Sequence, residues 1–323
     1  MQRILQPGEI EALDHTSFPR VLLPVPASLF AERAARLRQL ADGNPIADYL
    51  LFVAQIMDAQ HKAAAAVEIA EPDPAIIARA QEYSMPLLPA VDHIDPAWQT
   101  VLDNMLDSLE AGTQALPEPL QPLIKELRSL DADTRNDIAK KLLQKEVAAR
   151  HIGMAPFIMA ALQVVFSKRA ANISPKDIPL TDPASICPIC ASEPVASIVR
   201  IGDKIAGHRY LHCGTCACEW HMVRVKCTHC ESTKGIHYQS VDGSGEVVLA
   251  ETCDECGSYR KLMNQEKDPL ANPLADDLAS LMLDLLMSDT EFQRASPNPL
   301  LFVAVAQEQQ GDEFDNSLID PAA

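Results

Sequence analysis

The sequence has no apolar run long enough to cross a membrane, no surplus of positive charge and no recognisable catalytic constellation. Its longest apolar stretch, Met154–Phe166, covers 13 residues and is interrupted by Gln163. A membrane span needs about 20, so this stretch is expected to be a buried core helix, without membrane insertion. The opening segment MQRILQPGEIEALDH puts acidic residues where a signal peptide needs its apolar centre, which predicts a cytoplasmic protein. With 45 Asp/Glu against 27 Lys/Arg the net charge is −18, and such a chain repels nucleic acid and anionic lipid. No Gly-rich phosphate loop and no Ser-His-Asp arrangement is present, so no enzyme activity is expected. What remains is 323 residues, 47% of them hydrophobic, enough for a sizeable core and for more than one domain.

The informative stretch runs from Cys187 to Cys256. It reads CPIC at 187–190, CGTC at 213–216, CTHC at 227–230 and CDEC at 253–256. A shift of 40 residues carries the first two pairs onto the last two, and Gly202-Asp203 onto Asp242-Gly243. Such a fixed offset marks a duplicated unit. Two cysteines three apart place both sulfurs on one metal from a single tight turn, and a second turn completes a tetrahedral S4 shell. The segments 195–201, 208–212, 220–226, 236–241 and 246–252 are short, β-branched or aromatic, and bounded by Gly/Asp clusters, so they are expected to be strands. The candidate metal ligands are therefore Cys187, Cys190, Cys213 and Cys216 for one site, and Cys227, Cys230, Cys253 and Cys256 for the other. A cross-braced pairing would also use eight ligands, although the repeat favours the sequential one.

Disulfides would fit an oxidising compartment, which nothing in the chain suggests. A single redox-active pair would need only one C-x-x-C. Cys218 has no counterpart in the second copy, where Ser258 stands, and is expected beside the first site without ligating it. His208, His212, His221, His229 and His237 lie in the same region as strand-surface or supporting donors, with His229 in place of Cys230 as an alternative ligand. Only Cys256 is followed by glycine, Gly257; Ala191, Ala217 and Glu231 hold the matching places, so those turns must carry strain or differ in shape. Between Cys187 and Arg260 seven Lys/Arg face nine Asp/Glu, which argues against a nucleic-acid-binding zinc ribbon. S4 ligation suits zinc or one-electron iron and leaves no open corner for substrate.

The expected fold class is α+β and multidomain. An irregular segment at 1–27 precedes an α-helical domain at 28–172, with helix starts at Ser28, Asn44-Pro45 and Asp95-Pro96 and further helices at 119–130, 134–150 and 154–171. A linker at 173–186 leads to two tandem rubredoxin-like or zinc-ribbon modules, 187–226 and 227–265. A C-terminal helix within 266–306 starts at Asn272-Pro273, carries Leu274, Leu278, Leu281, Met282 and Leu285 at core spacing, and is expected to pack on the rest. An acidic tail at 307–323 is expected to be mobile.

The strings RAARLRQLADGNPIADYLLF at 33–52, APFIMAAL at 155–162, RYLHCGTC at 209–216, EWHMVRVKCTHC at 219–230 and IHYQSVD at 236–242 accompany the cysteine pairs. So do CDECGSYRK at 253–261, QEKDP at 265–269, ADDLASLMLD at 275–284 and SPNPLLF at 296–302. In these the chain resembles, over nearly its whole length, the FdhE family of formate dehydrogenase accessory proteins. The resemblance implies a cytoplasmic, non-catalytic protein that acts on the catalytic subunit of respiratory formate dehydrogenase before export. It also implies rubredoxin-like modules associated with iron or zinc, one ion per four-cysteine site. A rubredoxin-like electron carrier or redox sensor is the other reading, and self-association stays open.

Overall fold

Aspartate, asparagine and proline set most of the helix starts. The computed structural model describes residues 18–112, 116–146, 148–202, 204–241, 243 and 245–301; the expected acidic tail lies outside them, as does most of the irregular N-terminal segment. Seven α-helices precede the cysteine region among the described residues: α1 Pro26–Ala41, α2 Ala47–Ala66, α3 Pro74–Glu82, α4 Ala97–Glu110, α5 Leu120–Ser129, α6 Ala132–Leu143 and α7 Ala155–Ala171. The side chains of Asp73 and Asp131 cap α3 and α6 by accepting from Ala75 N–H and Thr134 N–H, satisfying donors that the first turn leaves unpaired. Asn44 and Asp95 accept from Ile46 N–H and Ala97 N–H just ahead of α2 and α4.

Some sequence expectations need correction. Helix α1 begins at Pro26, not Ser28, because proline at the first position needs no N–H acceptor. Helix α3 was not expected, although Asp73-Pro74 repeats the start signal. Helix α6 stops at Leu143, short of the expected Arg150: Lys145 turns left-handed at φ 64° and Glu146 N–H returns to the Lys141 carbonyl. A short 3₁₀ turn at Ala149–Met154 then leads into α7. From Ala149 to Ala171 the chain is long and apolar enough to span a bilayer. Thirteen of the residues of α7 are buried, however, and α2 and α4 pack around it. It is the central core helix that its hydropathy suggested.

Seven strands follow one another across a single sheet in the order β1-β4-β3-β2-β7-β6-β5. They are β1 Val21–Leu22, β2 Pro194–Val199, β3 Arg209–Cys213, β4 Glu219–His221, β5 Ile236–Gln239, β6 Val248–Cys253 and β7 Ser258–Asn264; β8 Gln293–Arg294 joins β7 from outside this path. Each cysteine unit is a three-stranded antiparallel meander, and the two meet where β2 pairs with β7 in parallel. Strand β1 lies within the segment expected to be irregular and covers the outer edge of β4. Strand β7 escaped the sequence reading because its Arg260 and Lys261 look solvent-exposed, yet both are buried.

One large core joins the helices to the first unit, taking in Cys187, Cys190, Leu211, Cys213, Cys216, Cys218 and Trp220. The second unit has a core of its own made from Ala250, Tyr259, Leu283 and Met287. Leu283 and Met287 come from the C-terminal region, where two short helices, α8 Ala275–Ala279 and α9 Leu281–Ser288, replace the single expected one. The break falls at Ser280. There the buried Lys261 ammonium donates to the Asp277 and Ser280 carbonyls at 2.9 and 3.0 Å, taking acceptors that a continuous helix would use. Leu274 and Leu278 are buried as expected, whereas Met282 and Leu285 are 53% and 63% exposed, so the core spacing predicted for them does not hold.

Candidate metal centres

The four C-x-x-C turns share one local geometry. Ala191, Ala217, Glu231 and Gly257, the residues after each second cysteine, take φ values of 62°, 59°, 64° and 62°. All four are left-handed. The three non-glycine turns therefore carry strain with no change of shape, at a cost of about 1–2 kcal/mol each for an L-residue. The return on that strain is visible in the main chain. Ala191 N–H, Ala217 N–H and Gly257 N–H reach back to the carbonyls of Cys187, Cys213 and Cys253, closing each turn. Cys216 N–H and His229 N–H point at the sulfurs of Cys213 and Cys227, both at 3.4 Å.

The turns bring the sulfurs together in two groups. Cys187, Cys190, Cys213 and Cys216 form one, and Cys227, Cys230, Cys253 and Cys256 the other, all sulfurs of a group lying within 4.8 Å of one another. This is the sequential grouping. Cross-bracing is not what the fold builds. The closest S···S separations given by the fold are 3.6 and 3.4 Å in the first cluster and 3.8 Å twice in the second. A tetrahedron with metal–sulfur bonds of about 2.3 Å has edges of about 3.8 Å, so both clusters fit a divalent ion. A disulfide would require roughly 2.05 Å, and all nine cysteines are free. The two clusters can hold two metal ions, each in a closed thiolate shell.

Electrostatics give the first cluster a further reason to take a cation. Burial pushes the Cys187, Cys213 and Cys216 thiols well above the ordinary range. At Cys190 burial also opposes ionisation, but hydrogen bonds from its neighbouring thiols and Ser192 outweigh it and pull it well below. Four thiolates cannot share one dry site without positive charge to compensate them.

The helical region holds the first cluster from two sides. Leu87 N–H, Leu88 N–H and Ala90 N–H donate to the Pro188, Ile189 and Cys190 carbonyls at 3.1, 2.7 and 2.9 Å. Gln163, the polar residue in the apolar run of α7, donates to the Gly214 carbonyl at 2.7 Å and accepts from Gln60 at 2.9 Å. These supporting residues were missed, although a lone glutamine among apolar residues was a signal for one of them. His212 is not a ligand. Arg33 on α1 donates to its Nε2 at 2.9 Å, which fixes Nδ1–H toward Glu219 at 2.7 Å. Burial works against the Glu219 carboxylate, but Arg200 and His212 outweigh it and hold its pKa at about 2. Burial lowers the pKa of His212, against the pull of Glu219.

Cys218 stands outside both clusters, buried, with its sulfur 3.7 Å from the Glu219 carbonyl. His208 and His221 pack around Phe18, with ring centroids 4.0 and 4.5 Å from it. His237 pairs with Asp254 at 3.1 Å near the second cluster. His229 joins neither group of sulfurs. The second cluster is the open one: Cys227 and Cys253 are buried, Cys256 is half-buried and Cys230 is exposed.

A helical body fused to a duplicated thiolate module defines a two-module protein with two four-cysteine clusters that could each hold a metal ion. Comparison with known proteins names the group. The FdhE N-terminal family model matches residues 18–182, the FdhE central domain 186–224 and the FdhE C-terminal domain 225–301. The protein FdhE homolog of Cronobacter sakazakii is 38% identical over 93% of this chain and 97% of its own. Protein FdhE of Escherichia coli O9:H4 is also 38% identical, over 91% and 95%. The crystal structure of the FdhE protein from Pseudomonas aeruginosa matches with a TM-score of 0.78 and 35% identity, covering 88% of this chain and 99% of that one. This chain belongs to the FdhE family.

Proposed function

We propose that the protein is a cytoplasmic, non-catalytic accessory factor that binds the catalytic subunit of a respiratory formate dehydrogenase during its maturation, before export. Iron or zinc, one ion per cluster, would be held by Cys187, Cys190, Cys213 and Cys216 and by Cys227, Cys230, Cys253 and Cys256. The observation that carries the reading is the pair of closed S4 clusters in an FdhE-family fold, because a filled thiolate shell shapes a binding surface and offers substrate no coordination site. The test is co-purification of the tagged protein with the formate dehydrogenase catalytic subunit, in immature and mature forms. Failure to recover the subunit in any maturation state would refute the role.

Exposure of Cys230 favours a second reading, in which the outer cluster holds iron and responds to oxidants. Anaerobically purified protein would then show rubredoxin-type absorption that bleaches reversibly on reduction. Colourless, zinc-loaded protein with full accessory activity would exclude it.

A further inference from the structure

The duplicated module shows how one of its own edges is covered. Leu211 on β3 pairs with Ser197 on β2, and Glu251, forty residues after Leu211, pairs with Tyr238 on β5. Tyr238 is therefore the counterpart of Ser197. In the first unit Ser197, Ile198 and Val199 are covered by β7, in parallel, against Leu262, Met263 and Asn264. Every residue of β2 is buried as a result. In the second unit no strand among the described residues lies beyond β5, and His237 and Tyr238 are exposed.

We propose that the open edge of β5 is where an extended segment of the client polypeptide adds a strand, parallel to β5 as β7 is to β2. The inference rests on the accessory role proposed above and specifies the surface that performs it. Backbone geometry is ready for the addition. Asp254 N–H donates to the Gly235 carbonyl at 2.9 Å, and antiparallel alternation then turns the N–H and C=O of Tyr238 away from β6. The strand reads Ile-His-Tyr-Gln, without the lysine or proline that usually guards such an edge. Near Val241 a cleft of about 380 Å³ is lined by Val247, Val248, Met282 and Leu283 together with the charged Arg36, Asp268 and Asp276. A second copy of this chain cannot repeat the β2–β7 contact, because β1 already occupies the outer edge of β4, the counterpart of β7. A client strand meets no such obstacle.

Hydrogen exchange on the full-length, metal-loaded protein tests this, with and without purified formate dehydrogenase catalytic subunit. Binding is expected to slow exchange in residues 236–241 by about tenfold or more, while β6 and β7 change little. Tyr238→Pro removes the outward N–H and also the phenol that donates to the Arg224 carbonyl and Glu251, each at 3.2 Å; it should weaken the complex by about tenfold, with both metals retained, whereas Tyr238→Phe, which keeps the N–H, should bind as wild type. A complex that forms with β5 unprotected and with Tyr238→Pro binding normally overturns the docking site and leaves the accessory role standing. Absence of any complex overturns both. Protection of β5 in the chain alone, whether constant or rising with concentration, assigns the edge to the chain itself or to a second copy and overturns the proposal.

Discussion

Two copies of one sequence unit meet opposite surroundings here. The first lies under the helices, with every ligand buried, one cysteine turn pinned by residues 87–90 and the other by Gln163. The second carries the same turns and the same S4 geometry, but its own core has four buried residues and Cys230 faces solvent. Identical ligand chemistry therefore does not imply identical dependence on metal. The first unit shares the interior of the helical region, which closes around its four thiols. The second has a small core of its own and is held besides by the β2–β7 pairing, α9 and the charged anchors of β7. Among those anchors Lys261 pairs with Asp284 at 2.5 Å and Arg260 donates to Thr228 at 3.0 Å.

The comparison breaks most readily at the ligands. Cys227→Ser with Cys230→Ser should abolish one metal and unfold the second unit, since structural zinc contributes on the order of 10 kcal/mol in small modules. Helical circular dichroism should be almost untouched. Cys187→Ser with Cys190→Ser should remove the other metal and lower stability across the helical region as well, read by metal-to-protein ratio and by exchange protection in α7. Equal, purely local damage from the two double variants would show that the shared core counts for nothing.

A smaller effect is expected at the buried charges that join α1 to the first unit. Glu219→Gln leaves Arg200 and His212 without their carboxylate and should cost about 3–5 kcal/mol in denaturant unfolding. Because the folded pKa of Glu219 is depressed to about 2, its contribution is present above the ordinary carboxylate range and is lost as pH falls toward 2. Wild type should therefore lose stability through that window relative to the variant, a difference curve that cancels thiol protonation common to both.

Chelator competition sharpens the contrast further. The ion at the outer cluster should transfer about 10–100 times faster than the inner one, since supporting contacts set such factors. Gln163→Leu should speed only the inner release while costing about 1–3 kcal/mol. Two identical release phases in the wild type would contradict the burial difference. The smallest predicted effects are in the turns. Gly257→Ala meets no atom within 4 Å of the added Cβ, so its cost of about 1 kcal/mol is left-handed strain alone. Ala191→Gly should recover a similar amount, apart from the added freedom of the unfolded chain.

Much of this was open to a reader of the sequence. Ligand spacing, the forty-residue repeat, the central helix and the Asp-Pro and Asn-Pro starts each follow from local rules. Other features could not be seen locally. Strand β7 hides buried charge behind surface-like residues, Val21–Leu22 becomes a strand only because β4 offers an edge, and α6 ends on a left-handed lysine that no propensity favours. Glu219, His212 and Arg33 look unrelated in sequence and meet only in the fold.

The sequence alone determined that eight cysteines would make two four-sulfur clusters, because three-residue spacing constrains a turn whatever surrounds it. Tertiary structure alone decided that one cluster is interior and the other at the surface. Burial depends on which distant elements pack against each copy, and the helices had only one sheet end to cover.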